Sequence, residues 1–315
     1  MSHQVDALRL AEPDTATTRY PPELSYESTV PRRLVHRAAV SEVLLTSWHR
    51  IRGDSFLCGA QWPAAHRLYA STGNTFDTLV LIETVRQAGI LVAHEGYGIP
   101  RQSPFIMQRL QWRRESALLR ESDNPHNSVV TVRVADARVR PGGVAAIRFE
   151  FEVHRGDRCL ATATGWARCV TPAIYQRLRW GDRTPGPVRP RILEAVEPSA
   201  VGRVDPRDVV IAPPDRGGGM ELRVPFDHPV FFDHPLDHVP GMMIYEAMRQ
   251  AACLTAGQPL SMVGGTAHFT HFIDIDQPCA VTAQLETNGE ALEAAVQFTQ
   301  HGRIAAAGSV TLADC

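Results

Sequence analysis

Lysine is absent from the 315-residue chain: all 32 basic side chains are arginine. That excludes Schiff-base chemistry, a Walker-type phosphate loop and a lysine general base. It leaves the guanidinium, whose planar fork suits phosphate and carboxylate, as the only strong cation. Cysteine is sparse and scattered. Cys58, Cys159, Cys169, Cys253, Cys279 and Cys315 include no C-x-x-C pair, which reads as reduced thiols in a cytosolic protein rather than a disulfide framework or a zinc site. Long apolar runs are missing too. A stretch such as 88–93 falls far short of a membrane span, and the first thirty residues are polar and proline-bearing, with no signal-peptide core. The expected location is therefore the cytoplasm, with no membrane partner. Neither sign of charge prevails, with 32 basic against 34 acidic residues and a net charge of -2, so no basic field recommends nucleic acid. What remains is an ordinary globular composition, 44% apolar and 21% charged, long enough for two domains.

The chain repeats itself. Leu81-Ile82-Glu83-Thr84-Val85-Arg86-Gln87-Ala88 and Ile244-Tyr245-Glu246-Ala247-Met248-Arg249-Gln250-Ala251 both read apolar-x-Glu-x-x-Arg-Gln-Ala, 163 residues apart. They flank a proline- and arginine-rich stretch, 171–198, with linker composition. The division expected is a mobile leader at 1–30, domains at 31–170 and 199–315, and a linker at 171–198. Each octet lies in a helix that is apolar nearly all round, at 76–94 and 240–256, and such a helix is buried. A strand and a histidine-bearing loop precede each helix: 56–62 with His66, and 220–226 with His228. Alternating strands follow, at 105–112, 128–137, 144–153 and 159–170 in the first half. In the second they fall at 267–275, 280–287, 293–299 and 304–312. Long antiparallel strands curled around one buried helix, twice over, describe an α+β chain of two tandem hot-dog domains packed as a pseudo-dimer.

Ionised groups in a buried helix cost several kcal/mol unless paired or functional, an order of magnitude of about 3–5 kcal/mol when a partner is lost. Glu83, Arg86 and Gln87 share one helix face at i, i+3 and i+4, as do Glu246, Arg249 and Gln250. Each set reads either as an intrahelical ion pair or as a carboxylate and guanidinium presented to a cleft. The sequence before the second helix favours the cleft there. Asp227, His228, Asp233, His234, Asp237 and His238 crowd into twelve residues, and Pro240-Gly241 then opens the helix with exposed amides suited to a polarised carbonyl. The adjoining prolines and the lack of an i, i+4 ligand face argue against a metal. No cofactor is expected.

At these residues the sequence resembles a known family. Val239-Pro240-Gly241-Met242-Met243-Ile244-Tyr245-Glu246 is similar to the central-helix motif of hot-dog 3-hydroxyacyl-ACP dehydratases. Arg249 and the short loop from His234 to Pro240 depart from that pattern. Both departures, and the duplication, resemble the A-factor synthase family of γ-butyrolactone, butenolide and furan signal biosynthesis. Phe232-Asp233-His234-Pro235-Leu236-Asp237-His238 is similar to its signature, as are Val35-His36-Arg37, Gln61-Trp62-Pro63 with His66, and Glu83-x-x-Arg86-Gln87. The resemblance implies transfer of a β-ketoacyl group from a carrier thioester, on acyl carrier protein or CoA, to a hydroxyl of dihydroxyacetone phosphate. His234, with His228 and His238 as alternatives, would be the base beside Glu246 or Glu83, and Gly241 would hold the carbonyl. Arg249 and Arg86 would meet the phosphate, with Gln250, Gln87, His66 and Asp237 completing the pocket. Two arginine-rich stretches could receive an acidic carrier: Arg109, Arg113, Arg114 and Arg120, or Arg177, Arg179, Arg183, Arg189 and Arg191. A dehydratase or thioesterase using the same groups, or a non-catalytic acyl-binding double hot-dog, remain the alternatives, and a homo-oligomer stays open.

Overall fold

The computed structural model describes residues 23–69, 74–118, 126–140, 144–184, 186, 188, 189, 191–213, 219–288 and 291–314. Residues 1–22 of the expected leader, Arg120, Cys315 and the linker prolines Pro185, Pro187 and Pro190 lie outside them. In chain order the elements are β1 (Leu45–Arg52), β2 (Ser55–Trp62), α1 (Thr78–Leu91), β3 (Phe105–Arg114), β4 (His126–Arg140), β5 (Val144–Arg155) and β6 (Arg158–Cys169). There follow α2 (Pro172–Trp180), β7 (Ile211–Ala212), β8 (Met220–Leu222), α3 (Gly241–Ala256), β9 (Leu260–Phe269), β10 (Ala280–Asn288), β11 (Ala291–Gln300) and β12 (Arg303–Asp314).

Among the described residues twelve strands form one antiparallel sheet in the order β1-β2-β4-β5-β6-β3-β9-β12-β11-β10-β8-β7. Each half contributes six strands, and the halves join where β3 pairs with β9, Arg109 opposite His268 and Trp112 opposite Gly265. Trp112 needs glycine there. A Cβ on Gly265 would stand 2.8 Å from its indole and 2.6 Å from the Ser309 carbonyl. The same indole meets Tyr245 of α3 edge-on, with centroids 5.2 Å apart. The two domains therefore share a core as well as a sheet.

Helices α1 and α3 are apolar on nearly every side, and every α1 residue except Arg86 is buried. Their N-termini differ. Asp77 caps α1 by accepting from Leu79 N at 2.9 Å, whereas Pro240 precedes α3 and offers no side-chain cap. At the other end of α3, Gly257 takes the left-handed conformation at φ 71° and returns its N–H to Cys253 and Leu254, a stop that glycine makes without strain.

Four elements differ from the sequence reading. Strand β1 has no clear signal in the sequence, because Thr46, Ser47, His49 and Arg50 dilute its apolar alternation. Strand β8 ends at Leu222, before the proline at 225, instead of running to 226. Strand β9 lies at Leu260–Phe269, seven residues before the expected start, its pattern masked by Gly264 and Gly265. Ile273 and Ile275 are buried from a loop, not a strand. Part of the expected linker is helix α2, begun by Thr171, whose hydroxyl accepts from Ile174 N at 3.2 Å.

Candidate active site

The repeat is carried into atomic detail. In the first half Glu83 is fully buried. It receives Arg37 Nε at 2.9 Å, Arg86 Nε and Nη2 at 2.8 Å each, and Gln87 Nε2 at 2.6 Å. In the second half Glu246 is as buried and receives Arg203 Nε at 2.8 Å, Arg249 Nε at 3.0 Å and Nη2 at 2.5 Å, and Gln250 Nε2 at 2.5 Å. Burial alone would raise both carboxyl pKa values. The paired guanidiniums outweigh it and hold each at about 2. Neither carboxylate is a proton carrier near neutrality. Gln87 and Gln250 also anchor backbone, accepting from Leu44 N and Val210 N and donating to Glu42 O and Asp208 O. They bind the helix to the preceding segment and do not line the cavity.

His66 and His228 are equivalent as well. Each Nδ1 accepts two backbone amides, from Leu68 and Tyr69 or from Val230 and Phe231, all at 3.2 Å. Each Nε2 faces a carboxylate, Glu42 at 3.4 Å or Asp208 at 2.9 Å. With both ring nitrogens engaged, these histidines lock turns. This corrects the expectation that His228 is a candidate base and that His66 touches substrate.

One large cavity, about 390 Å³, breaks the symmetry. It lies where α1 of the first half faces the loop and α3 N-terminus of the second, and His36, Arg37, Arg86, His234, His238 and Gly241 border it. Glu246 and Arg249 do not. Of the two carboxylates expected beside His234, Glu246 and Glu83, the loop approaches the Glu83 of the other half, through Asp233 and Arg37. Asp233 accepts from Ala38 N at 2.8 Å and lies 3.4 Å from Arg37 Nη1. It also accepts from Ala39 N at 3.5 Å and meets His234 Nδ1 at 2.5 Å. Burial would raise its pKa, but the hydrogen bond from His234 and the charge of Arg37 bring it to about 2. An ionised Asp233 fixes the proton on Nδ1 and leaves His234 Nε2 with a free lone pair. The side chain is 36% exposed, open to a substrate.

A second dyad stands four residues on. His238 Nδ1 meets Asp237 Oδ1 at 2.6 Å, and Tyr175 of α2 donates to the same oxygen at 2.7 Å. Arg179 fastens this group, donating to Asp237 O at 2.6 Å and pairing with Asp274 at 2.6 Å. Tyr175 and Arg179 come from the stretch read as linker, where a proline-rich composition hides a helix with two positioning side chains.

The two helix arginines also part company. Arg249 is saturated: Nε and Nη2 hold Glu246, and Nη1 reaches Val201 O at 2.8 Å, Leu260 O at 3.4 Å and Cys253 Sγ at 3.7 Å. This corrects its expected place as the leading phosphate ligand. Arg86 uses Nε and Nη2 in the same way, but its Nη1 has no partner among the described residues, and the residue lines the cavity. Gly202, at φ 64°, lies beside Arg249 Nη1, and a Cβ there would stand 3.3 Å from Pro259 Cβ and in ordinary contact, 3.5 Å, with the guanidinium. The first half has His36 at that position, at φ 51°, a left-handed backbone that is costly for a residue with a Cβ. His36 Nε2 meets His94 Nε2 at 2.9 Å, and His94 Nδ1 meets Ile99 O at 2.8 Å. Burial, His94 and Arg86 push the His36 pKa down to about 3, so it stays neutral beside Arg86. Helix α3 presents its uncapped amides to the same space. Met243 and Ile244 N–H groups return to Pro240 O, while Gly241 and Met242 have no intrahelical acceptor. Ile90, Phe105, Met107, Ile244 and Phe269 make the rest of the wall apolar.

Of the arginines expected to receive a carrier, Arg179 is buried on Asp237 and Asp274, and Arg191 pairs with Glu221. Arg109 lies over the Trp166 ring. Arg113, Arg177, Arg183 and Arg189 are exposed.

The chain matches the A-factor biosynthesis hotdog domain family (AfsA) over residues 21–171 and 187–315. It is 38% identical over 259 residues to a Streptomyces virginiae protein named 2-oxo-3-(phosphooxy)propyl 3-oxoalkanoate synthase, covering 82% of this chain and 87% of that one. A Streptomyces coelicolor protein of the same name is 34% identical over 275 residues, covering 86% and 87%. Among solved structures, a putative oleoyl thioesterase from Lactobacillus plantarum aligns with a TM-score of 0.49 and 12% identity, over 82% of this chain and 95% of that one.

Proposed function

The chain belongs to the A-factor biosynthesis hotdog family, and on that premise we propose that it transfers a β-ketoacyl group from a thioester to the hydroxyl of dihydroxyacetone phosphate. The product is the 2-oxo-3-(phosphooxy)propyl 3-oxoalkanoate in its relatives' name, the committed step towards γ-butyrolactone, butenolide or furan signals. One observation carries the reading. An Asp-oriented histidine, a guanidinium with a free arm, an uncapped helix N-terminus and an apolar wall converge on one cavity.

In this mechanism His234 Nε2 takes the hydroxyl proton as the oxygen attacks the thioester carbonyl, and Asp233 stabilises the imidazolium. The carbonyl oxygen, gaining charge, is met by the α3 amide of Gly241. The carbon–sulfur bond then breaks, and His234 returns the proton to the departing sulfur. None of the described cysteines lines the cavity, which favours direct transfer over an acyl-enzyme. Arg86 holds the phosphate while Glu83 holds Arg86. Asp237, Tyr175 and His238 shape the cavity mouth. The division at 31–170 and 199–315 serves this scheme, since each half supplies what the other lacks. No helix of the described residues is long and apolar enough to cross a membrane. We place the reaction in the cytoplasm, where thioester donors and reduced thiols coexist.

Arg86→Lys tests the acceptor. Charge-assisted hydrogen bonds are worth about 1.5–3 kcal/mol, and lysine cannot reproduce the planar fork, so use of dihydroxyacetone phosphate should weaken by about 10- to 100-fold. Thioester binding should stay near wild type. The comparison with unphosphorylated dihydroxyacetone decides: if wild type uses both acceptors equally, no phosphate clamp exists. A dehydratase or thioesterase, acting on a neutral acyl chain, would ignore either acceptor.

For the donor we favour acyl carrier protein over CoA, docking on the exposed arginines of α2 and the segment after it. Charge reversal at Arg177 and Arg183 should raise KM for the carrier-bound donor several-fold at low salt and leave the CoA donor unaffected. Insensitivity of the carrier-bound reaction to both salt and charge reversal would sink this choice.

A further inference from the structure

Behind the main cavity lies a second, apolar one of about 20 Å³. It sits between α1 and the strands β3, β5 and β6, and it shares Arg86, Phe105 and Met107 with the main cavity. Phe105 and Met107 are two apart on β3, so they present to the same face, and they form the partition. Two features hold the Met107 side of it in place. Tyr245, buried in α3, points its hydroxyl at Met107 Sδ at 3.3 Å. The β3–β6 register slips between Met107 and Arg109, and such a bulge re-aims the side chain beside it. A thioether on an unbranched stem would otherwise wander. Beyond the partition, the floor is left open by glycines. A Cβ on Gly165 would stand 3.5 Å from Leu110 and Phe151, in the space the small cavity occupies.

We propose that Met107 is the stop that sets acyl chain length: the chain runs from Gly241 along the apolar wall to Met107, and the space beyond is reserve that Met107 denies it. The inference rests on the proposed acyl transfer in this cavity and names the residue that selects among its donors.

The test is a series of β-ketoacyl thioesters differing by one methylene, each on acyl carrier protein and on CoA, assayed with dihydroxyacetone phosphate. Each newly buried methylene is worth about fourfold in affinity. Met107→Ala should therefore move the preferred donor about two carbons longer, with KM falling for the long donors. Met107→Leu, of similar volume, should keep the wild-type profile. Gly165→Ala added to Met107→Ala should return the preference to shorter chains, an outcome that general loosening of the fold would not produce. Tyr245→Phe should broaden the profile by untying Met107. An unchanged chain-length profile in folded Met107→Ala, or a double variant that keeps the longer preference, overturns the stop. A wild type inactive with every donor in the series overturns the transfer reading itself, so the two failures are distinct.

Discussion

Replacing His234 with alanine is expected to lower turnover by at least about 100-fold, the usual contribution of a positioned general base, without disturbing the fold. The side chain is more than a third exposed and its one partner is Asp233, so little packing is lost. Asp233→Asn should fall between wild type and His234→Ala, because the amide no longer stabilises the imidazolium, although its oxygen can still accept from Ala38 N and Arg37 still donates to Val230 O. His228→Ala is the control. It frees two backbone amides in the interior and leaves the Asp208 carboxylate with Arg67 alone, so its loss should appear as lower stability. Wild-type turnover in folded His234→Ala would remove the base from this loop and reopen His238, the other Asp-paired histidine on the cavity.

Glu246→Ala is expected to do the reverse and damage folding far more than chemistry. It strands the buried Arg249 and leaves the buried Arg203 with Asp77 as its one remaining carboxylate. Breaking a buried pair from one side typically costs about 3–5 kcal/mol, because the remaining charge stays desolvated. Urea unfolding measures this directly, and any folded fraction should keep its preference for the phosphorylated acceptor. A Glu246→Gln variant as stable as wild type but inactive would return the chemistry to the second half. Acid should act on the same groups. Glu83 and Glu246 are depressed from 4.5 to about 2 in the folded chain. Their contribution is therefore complete above about pH 4.5 and lost as pH falls towards 2. A Tm that rises on acidification through this window would contradict the ion-pair account.

The repeated Glu-x-x-Arg-Gln-Ala octets, the all-round apolar helices about them and the alternating strands after them were enough to specify two hot-dog domains. Each of these is a local pattern, and local periodicity is what a sequence displays. The same octets could not say which copy works, because they are nearly identical in chemistry. That choice falls to residues outside the repeat that meet only in three dimensions. Asp77 caps α1 and pairs with Arg203, closing one helix N-terminus, while Pro240 leaves the other uncapped on the cavity. Gly202 lies beside Arg249, and His36 occupies the equivalent place beside Arg86. Tyr175 and Arg179 arrive from a stretch whose prolines read as linker. The aspartates before His234 and His238 were visible as pairs in the sequence, but their meaning depends on Ala38, Arg37 and Tyr175, each more than sixty residues away. Sequence thus determined the fold and the stock of reactive groups. Tertiary structure decided which carboxylates and arginines became internal ion pairs and which remained free to meet a substrate, because a buried charge is spent on whatever partner the packing brings to it.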